Sequence, residues 1–455
     1  MGERFQVVIV GAGPAGIFAA LELSRAGLSG VALLEKGPDL PERRRIGRGH
    51  SMLSGWGGAG AYSDGKLALS TEIGGSMDQY CPSSRLVDLM EYVDGVYCSF
   101  GAPALVHGSD PEQVAFIQRE AARLGMKFIP SRYRHLGSDG CEEIVGRMRE
   151  ALTPGVAIRC QSPVASVLTR DGRACGVRLE DGSEIDAEYV IVAPGREGSS
   201  WLAREAARLT LASTINPVDI GVRIEVPASV MEPITAATYE AKILYYTRRF
   251  EDMVRTFCMC PHGEVIREDL GGLYTVNGHS YARTQTGNTN FALLVSKTFT
   301  EPFREPIAYG QSIARLANLL GGEILVQRLG DLRHGRRSTP SRMARGLVEP
   351  TLTTATPGDL SLVLPYRYLA DILEMLEALD RLAPGVNSLH TLLYGVEVKF
   401  YSLKLRLTSG LETELPGLYA VGDGAGVSRG LVQASISGVL AAREIVGKLR
   451  AEQAA

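Results

Sequence analysis

The sequence lacks the features that mark secreted, disulfide-stapled and membrane proteins. Its seven cysteines are an odd number, and no two of them form a CxxC pair. No apolar stretch approaches the length of a spanning helix, and the chain does not open with a basic segment followed by an apolar one. We therefore expect a reduced, cytoplasmic protein without a membrane span.

A large excess of charge of either sign is also absent. Lysine and arginine number 48 against 51 aspartates and glutamates, which gives a formal net charge of −3. This balance produces no general attraction to nucleic acid or to an acidic membrane, so neither is an expected partner. With 455 residues, of which 45% are hydrophobic, the chain is long enough for at least two packed domains.

Glycine, by contrast, is abundant, and the first glycine run is the clearest motif. The apolar run Val7 to Val10 predicts a strand, and "GAGPAG" predicts a tight turn into a helix. A second apolar strand, "VALLEK", closes a βαβ unit. In such a unit Gly11 makes the turn, Gly13 lets a pyrophosphate approach the backbone, and Gly16 lets helix and strand pack. Glu35 can accept a hydrogen bond from a ribose hydroxyl, so the pattern predicts dinucleotide binding, with a purely structural turn as the alternative.

Two later segments indicate which dinucleotide is bound. "AEYVIVAPG" predicts a strand that ends at Ala193 and Gly195, and "LYAVGDGAGVSRGLVQ" predicts a strand, a glycine-rich loop and a helix. Together with "GAGPAG", they resemble the three fingerprints of the two-dinucleotide-binding-fold flavoproteins. The resemblance implies that Asp423 holds the ribityl chain of FAD and that the backbone of Val164 contacts adenine. A helix cap or turn role for Asp423 is the alternative.

The resemblance extends to one group within that superfamily. "LSGWGGAGAYSDGKL", "RTFCMCPHGEV", "LYGVEVKFYS" and "VGDGAGVSRGLVQASISGVLAAR" are similar to the FAD-dependent, so-called NAD(FAD)-utilising dehydrogenases, over residues 6 to about 446. The group's name implies a nicotinamide partner. No second GxGxxG lies between a strand and a helix, so NAD(P)H is expected to visit only transiently.

The expected fold class is α/β, with a discontinuous Rossmann-type FAD-binding domain, an inserted α+β substrate domain and a helical insertion. We expect the FAD-binding domain at 1–75, 154–214 and 396–455, the helical insertion at 76–153, and the substrate domain at 215–395. The insertion contains helical stretches such as "DPEQVAFIQREAARLG". The substrate domain mixes strand-like "DIGVRIEVP" and "NFALLVSK" with helical stretches.

The expected site residues come from the fingerprints and the loops beside them. The cofactor-binding candidates are Gly11, Gly13, Pro14, Ala15, Gly16, Glu35, Lys36, Gly58, Val164, Ala193, Gly195, Gly422, Asp423, Arg429, Gly430 and Leu431. The superfamily resemblance implies that the last helix points its amino terminus at the flavin, with Arg429 beside it. Weaker candidates for catalytic positions near the ring are Lys66, Tyr401 and Cys258.

Two arginine-rich stretches could contact anions. "ERRRIGRGH", which includes Arg43, could meet the diphosphate, and "RLGDLRHGRRSTPSRMARG" could attract an anionic substrate or a nicotinamide phosphate. The alternative for both is a solvated charged surface.

The stretch "RTFCMCPHGEV" leaves three alternatives open: a redox dithiol, a metal site or packing. Its alternation is expected to turn Cys258, Cys260 and His262 to one face of a strand. Two cysteines separated by one residue in an extended strand would need strained geometry to form a disulfide, and three ligands fall short of the usual four for structural zinc. The family resemblance implies instead that the strand borders the active cavity, and no metal is expected.

These patterns predict a FAD-dependent oxidoreductase that transfers a hydride between bound flavin and a small-molecule substrate, for which an anionic compound is one candidate. A flavin monooxygenase is the first alternative, although "APGREGSSWLAR" has EG where those enzymes normally have DG. A non-enzymatic flavoprotein that carries electrons is the second alternative.

Overall fold

The computed structural model describes residues 3–46, 54–214, 216–281, 284–297, 305–400 and 402–454. These residues form two compact units. The first unit comprises 1–105, 134–216 and 401–455, and the second comprises 106–133 and 217–400. The candidate Tyr401 and the glycine-loop residues 47–53 lie outside the described residues.

Helices and strands alternate along much of the chain. The strands are β1 (Glu3–Val10), β2 (Val31–Leu34), β3 (Lys66–Leu69), β4 (Met126–Ile129), β5 (Arg132–His135), β6 (Val156–Arg159), β7 (Val164–Arg170), β8 (Arg173–Leu179), β9 (Glu184–Val192), β10 (Ser213–Thr214), β11 (Val218–Pro227), β12 (Lys242–Tyr246), β13 (Met253–Cys260), β14 (Glu264–Asp269), β15 (Tyr274–His279), β16 (Asn288–Lys297), β17 (Leu325–Arg328), β18 (Thr356–Pro357), β19 (Leu392–Lys399), β20 (Lys404–Leu405) and β21 (Leu418–Ala420). The α-helices are α1 (Pro14–Arg25), α2 (Leu40–Ile46), α3 (Ser83–Ser99), α4 (Pro111–Arg123), α5 (Gly137–Leu152), α6 (Ser199–Arg208), α7 (Ala228–Thr238), α8 (Pro306–Gly321), α9 (Leu329–Arg333), α10 (Pro340–Met343), α11 (Tyr366–Leu379) and α12 (Leu431–Ala454). In the part of the chain that the structure describes, none of these helices is long and apolar enough to cross a membrane.

The first unit is built on a parallel sheet with an antiparallel extension. Its strands lie in the order β6-β2-β1-β9, with β21 parallel to the end of β9 and β8 and β7 continuing antiparallel from the start of β9. Parallel strands buried on both faces read as continuous apolar runs, and the last four residues of β1, "VVIV", are all buried. This sheet confirms the predicted α/β, Rossmann-type architecture.

The last helix packs directly on the first one. A Cβ on Gly438 in α12 would lie 2.0 Å from the Ala15 carbonyl oxygen in α1, so only glycine allows this approach. Both helices follow a parallel strand, α1 after β1 and α12 after β21. Their amino termini therefore lie at the same carboxyl edge of the sheet, where ligands bind in folds of this type.

The second unit is built on a mixed sheet in the order β18-β17-β19-β11-β16-β13-β12-β4, antiparallel except for β17 with β18. The central strand β11 alternates strictly, with Ile220, Val222 and Ile224 in the hydrophobic core. The opposite face of the same strand carries Asp219 and Arg223, and these charged residues are buried as well. Both faces of this sheet are therefore covered, one with apolar and one with charged side chains.

The residues expected to form a separate helical insertion contribute to both units. Helices α3 and α5 belong to the first unit, whereas α4 and β4 belong to the second, where β4 pairs with β12 at the sheet edge. The division into a FAD-binding and a substrate domain is a statement about function and stays a prediction.

Two neighbouring carboxyl groups, Asp371 and Asp252, lie in the second unit between α11 and the end of β16. Asp371 is fully buried and accepts a hydrogen bond from the Thr247 hydroxyl at 2.8 Å. Asp252 is bound by Arg367, with Nε to Oδ2 at 2.6 Å, and by Lys297. Burial and the Asp252 charge raise the pKa of Asp371 to about 6, although the Thr247 bond opposes the shift. Burial opposes the ionisation of Asp252, but Arg367 and Lys297 lower its pKa to about 2.

An Asp371→Asn variant is expected to be more stable than the wild type above pH 6. The pKa of Asp371 is about 6 in the folded state and about 3.9 in the unfolded state. The protonated carboxyl therefore contributes its full stability below about pH 3.9, and this contribution is lost as the pH rises through about 6. Asparagine stays neutral, so the gain should be about 1–3 kcal/mol at pH 7.5 and smaller at pH 5. Urea unfolding of the variant and the wild type at both pH values measures this difference in unfolding free energy. Glu232→Gln, at an exposed site on α7, is the control, and an equal gain for Asp371→Asn at both pH values would contradict this account.

Candidate functional site

The loop between β1 and α1 contains two glycines that the packing requires and one that it does not. Gly11 has a φ of +106°, and a Cβ there would lie 2.2 Å from the Ala193 carbonyl oxygen. A Cβ on Gly16 would lie 1.9 Å from the Gly11 carbonyl oxygen. A Cβ on Gly13 would meet nothing within 4 Å, and its φ of −79° suits any residue. The space beside Gly13 is therefore open to a ligand.

Helix α1 presents an uncapped amino terminus to this loop. It begins at Pro14, with no side-chain cap and no acidic residue in its first turn. The first N–H groups of a helix have no acceptor within it, and the helix dipole is positive at this end. The loop with Pro14 and Ala15 therefore suits an anion such as a diphosphate.

The Glu35 carboxylate, at the end of β2, accepts hydrogen bonds from three separate loop segments. Its Oε2 accepts from the Ala12 N–H at 2.9 Å, and its Oε1 accepts from the N–H groups of Gly37 at 2.9 Å and Gly55 at 3.0 Å. The side chain is buried, so these bonds fix the position of its carboxylate. Lys36 is directed elsewhere, since its ammonium lies 2.7 Å from the Glu197 carboxylate.

A second glycine loop, residues 55–62, lies against the first one. The Gly57 N–H donates to the Ala12 carbonyl oxygen at 2.8 Å, and a Cβ on Gly58 would lie 3.0 Å from the Gly13 Cα. Gly58 therefore lies beside the open space at Gly13.

Arg43 occupies a buried position that the sequence patterns did not predict. It was expected at the diphosphate or in solvent, but it is fully buried beneath the second glycine loop. One guanidinium nitrogen donates to the carbonyl oxygens of Trp56 at 2.5 Å and Gly58 at 3.1 Å. In a trans peptide the carbonyl and the next N–H point in opposite directions. The Ala59 N–H is therefore turned away from Arg43.

The third glycine segment joins β21 to α12. A Cβ on Gly424 would lie 2.6 Å from the Gly195 carbonyl oxygen, and a Cβ on Gly422 would lie 3.0 Å from the Ala15 side chain. Asp423 accepts a hydrogen bond from the Ser428 hydroxyl through Oδ1 at 2.7 Å. The three predicted fingerprints thus meet at the carboxyl edge of the first sheet.

The start of α12 also borders these loops. The Arg429 N–H donates to the Gly74 carbonyl oxygen at 2.7 Å, and Gly430 approaches the same residue closely. The Leu431 side chain would lie 3.2 Å from a Cβ on Gly60, next to the second glycine loop. The Arg429 side chain is exposed. The pKa of Lys404 is lowered first by its own burial and then by the positive charge of Arg429.

The remaining candidates of the first unit lie in defined places. Val164 begins β7, two residues after Ser162, whose N–H donates to the Glu35 carbonyl oxygen at 2.8 Å. Lys66 is almost fully buried, and its ammonium lies 2.8 Å from the Asp64 carboxylate. Lys66 is therefore held in one position by an ion pair.

A large part of the chain, including the first two glycine loops, matches a known family. The family model described as FAD dependent oxidoreductase matches residues 6–266, which is more than half of the chain. The chain belongs to the FAD dependent oxidoreductase family. A second model, described as FAD-dependent protein, C-terminal domain-like, matches residues 217–400 of this oxidoreductase. The protein is thus an oxidoreductase with FAD as its cofactor.

Three individual proteins similar to this oxidoreductase have low sequence identity to it. A protein of Clostridium beijerinckii, described as uncharacterized, is 27% identical over 478 residues, covering 97% of this chain and 80% of that protein. Glycine oxidase from Geobacillus kaustophilus is 15% identical with a TM-score of 0.42, and the match covers 98% of this chain and 95% of that chain. L-proline dehydrogenase from P. horikoshii is 13% identical with a TM-score of 0.44 and has the same coverage. At these identities and TM-scores, neither structure indicates the substrate of this oxidoreductase.

The cysteine stretch of the oxidoreductase differs from the sequence expectation. The register between β13 and β16 shifts between Phe257 and Cys260, so the strand bulges there. Cys258 has a φ of +44°, and His262 lies beyond the end of β13 with a φ of +51°. The expectation that all three side chains share one face of a regular strand is therefore wrong, because the bulge interrupts the alternation.

The second basic stretch surrounds a buried aspartate. Asp331 accepts from Arg336 Nε and from the Ser338 hydroxyl, each at 2.9 Å. Arg333, Arg336 and Arg337 have exposed side chains. This arrangement fits the alternative of a charged surface segment.

Replacing Arg43 with methionine is expected to raise the Kd for FAD by about tenfold, because the second glycine loop loses the donor that orients its carbonyl groups. The apoprotein should lose affinity for ADP, which carries a diphosphate, but not for adenosine. Isothermal titration with both ligands measures the difference. Arg44→Met is the matched control, because Arg44 is on the same helix but exposed and paired with Glu142. An equal loss for adenosine would contradict a role at the diphosphate.

Proposed function

We propose that this oxidoreductase is a dehydrogenase of the NAD(FAD)-utilising group, which transfers a hydride between bound FAD and a small-molecule substrate. The observation that carries the proposal is the open space beside Gly13, bordered by Gly58 and by the uncapped start of α1. A diphosphate fits a site that combines free backbone access with the positive end of a helix. Bound FAD supplies the hydride chemistry.

The remaining parts of the cofactor would be held by side chains and backbone near this site. We assign the ribose hydroxyls to Glu35, whose carboxylate can accept a fourth bond beside the three from backbone N–H groups. The second oxygen of Asp423 would accept from a ribityl hydroxyl while the first accepts from Ser428. The backbone at Val164 would contact the adenine.

The amino end of α12 would make the bound flavin easier to reduce. Reduction adds negative charge to the flavin, and a helix amino terminus with Arg429 beside it would stabilise that charge by on the order of 1 kcal/mol. Lys66, which is buried with Asp64, is our candidate for a hydrogen bond to the reacting region.

The electron partner and the location complete the proposal. In the described part of the second unit, the strands of the large sheet are antiparallel except for β17 with β18, and no GxGxxG follows β17. We therefore propose NAD(P)H as a transient visitor at the flavin. None of the seven cysteines is in a disulfide, and a cytoplasmic location and a possible anionic character of the substrate belong to the same proposal.

The test is anaerobic reduction of the purified yellow protein. Heat release followed by chromatography should yield intact FAD, and NADH, NADPH or one member of a panel of amino and hydroxy acids should bleach the flavin absorbance in stopped flow. Reoxidation by a quinone should be faster than by oxygen. Failure to retain FAD after reconstitution would overturn the cofactor assignment, whereas oxygen consumption with a hydroxylated product would identify a monooxygenase instead.

A further inference from the structure

The bulge in β13 brings two thiols together. Cys258 and Met259 lie between the last regular pair of the strand, at Phe257, and the next one, at Cys260. The sulfur atoms of Cys258 and Cys260 are 4.0 Å apart. In a regular strand such side chains would stand parallel, about two residues of strand rise apart or ~7 Å. Cys258 is half-buried and Cys260 is fully buried.

A buried arginine lies beside this thiol pair. Arg223 donates to the Cys258 carbonyl oxygen at 2.8 Å, and the same nitrogen lies 3.8 Å from the Cys260 sulfur. A Cβ on Gly278 would lie 2.1 Å from this nitrogen, so the guanidinium fills the space that a larger side chain would need. Arg223 is therefore fixed in place next to both cysteines.

Arg223 belongs to a buried cluster of charged side chains. Arg223 lies 3.2 Å from the Glu397 carboxylate, but Lys399 also binds Glu397, at 3.0 Å. Glu268 is 3.9 Å from Lys399 and offers a weaker second partner. A guanidinium beside a thiol favours the thiolate, which is the reactive form of cysteine.

We propose that Cys258 and Cys260 are a peroxide-sensitive dithiol. The Cys258 thiolate attacks one oxygen of hydrogen peroxide and the O–O bond breaks. That oxygen stays on the sulfur as a sulfenic acid, and the other leaves as hydroxide, which takes a proton to become water. The Cys260 thiolate then attacks the oxidised sulfur, the S–O bond breaks, and a second water leaves. In total, two thiols and one hydrogen peroxide give one disulfide and two waters.

The order of the two cysteines follows from their burial. Cys258 is the half-buried residue and is accessible to peroxide, whereas Cys260 is buried and can reach only its neighbour. A disulfide needs the sulfurs to close to about 2.05 Å. The register of β13 against β16 shifts between Phe257 and Cys260, so a change in the backbone of this bulge would leave the regular ladder pairs at Phe257 and Cys260 in place. The reaction does not involve the flavin and is independent of the proposed dehydrogenase activity.

The experiment exposes the holoenzyme to a small molar excess of hydrogen peroxide, blocks the remaining thiols with N-ethylmaleimide and maps the peptides by mass spectrometry. In the peptide with Cys258 and Cys260, the disulfide should appear as a loss of two hydrogens and of both alkylation sites. These thiols should be oxidised at least about tenfold faster than the Cys175 thiol, and dithiothreitol should reverse the oxidation. Cys175 is the control because it is also half-buried, on β8, where burial raises its thiol pKa.

Two single variants test the order of attack. Cys260→Ser should trap a sulfenic acid on Cys258, which dimedone labels, whereas Cys258→Ser should leave Cys260 unlabelled. Retained FAD and an unchanged circular dichroism spectrum show that both variants are folded. Oxidation of Cys258 and Cys260 no faster than of Cys175, or accumulation of sulfonic acid on Cys258 with Cys260 unchanged, would overturn the proposal.

Discussion

Replacing Gly13 with alanine is expected to abolish tight FAD binding without harming the fold, whereas replacing Gly16 is expected to harm both. The Gly13 backbone already has a conformation that alanine adopts, and the added methyl would extend only into the open space. That space is where the diphosphate would lie, so the Kd for FAD should rise by about 10- to 100-fold, or roughly 1.4–2.7 kcal/mol. The methyl of Gly16→Ala would lie 1.9 Å from a backbone oxygen and should cost at least about 1–3 kcal/mol of folding free energy.

Two measurements on the apoproteins separate these effects. Urea unfolding without FAD should be the same for Gly13→Ala and the wild type, while Gly16→Ala unfolds at lower urea. Fluorescence titration with FAD should then show weak binding for Gly13→Ala. Wild-type affinity in the Gly13→Ala variant would mean that the cofactor does not lie beside this residue.

The second large effect is expected from Arg223→Met in the second unit. Arg223 and Glu397 are both fully buried and lie 3.2 Å apart. Removing one partner of a buried ion pair leaves an uncompensated charge, which typically costs about 3–5 kcal/mol. Lys399, 3.0 Å from Glu397, should keep the loss toward the lower end of that range.

The controls for this variant come from the same unit. Arg333→Met removes a partly exposed pair with Glu377 and should cost less than about 1 kcal/mol. The double variant Arg223→Met with Glu397→Gln should be more stable than Arg223→Met alone, because the unpaired carboxylate is gone. Urea unfolding of all four proteins checks both statements, and a double variant less stable than the single one would refute the ion-pair account.

The parts of the fold that the sequence predicted are those in which local spacing decides the structure. The strand, turn and helix around Gly11 and Gly16 follow from the need to avoid backbone clashes with Ala193 and Gly11 itself. Because parallel strands share a carboxyl edge, the fingerprints around Gly195 and Asp423 could be expected near one another. The roles of these residues toward FAD stay predictions.

The parts that could not be predicted depend on partners far away in the chain. Three consecutive arginines look alike in the sequence, and only the packing of α2 shows that Arg43, and not Arg44 or Arg45, is buried. The Cys258 bulge depends on the register with β16, about thirty residues later, which the alternation within β13 does not contain. Likewise, the pairing of β4 with β12 joins strands that no local pattern connects.

The interrupted course of the first unit has a consequence for biosynthesis. Its pieces 1–105 and 134–216 leave the ribosome before residues 217–400, and its last piece, 401–455, follows them. At a translation rate of ~5–20 residues per second, the second unit alone takes roughly 10 to 40 s to synthesise. During that interval β9 lacks β21, and α1 lacks the helix that packs against it. The nascent first unit therefore lacks these contacts, and is exposed to chaperones, until residues 401–455 have been synthesised.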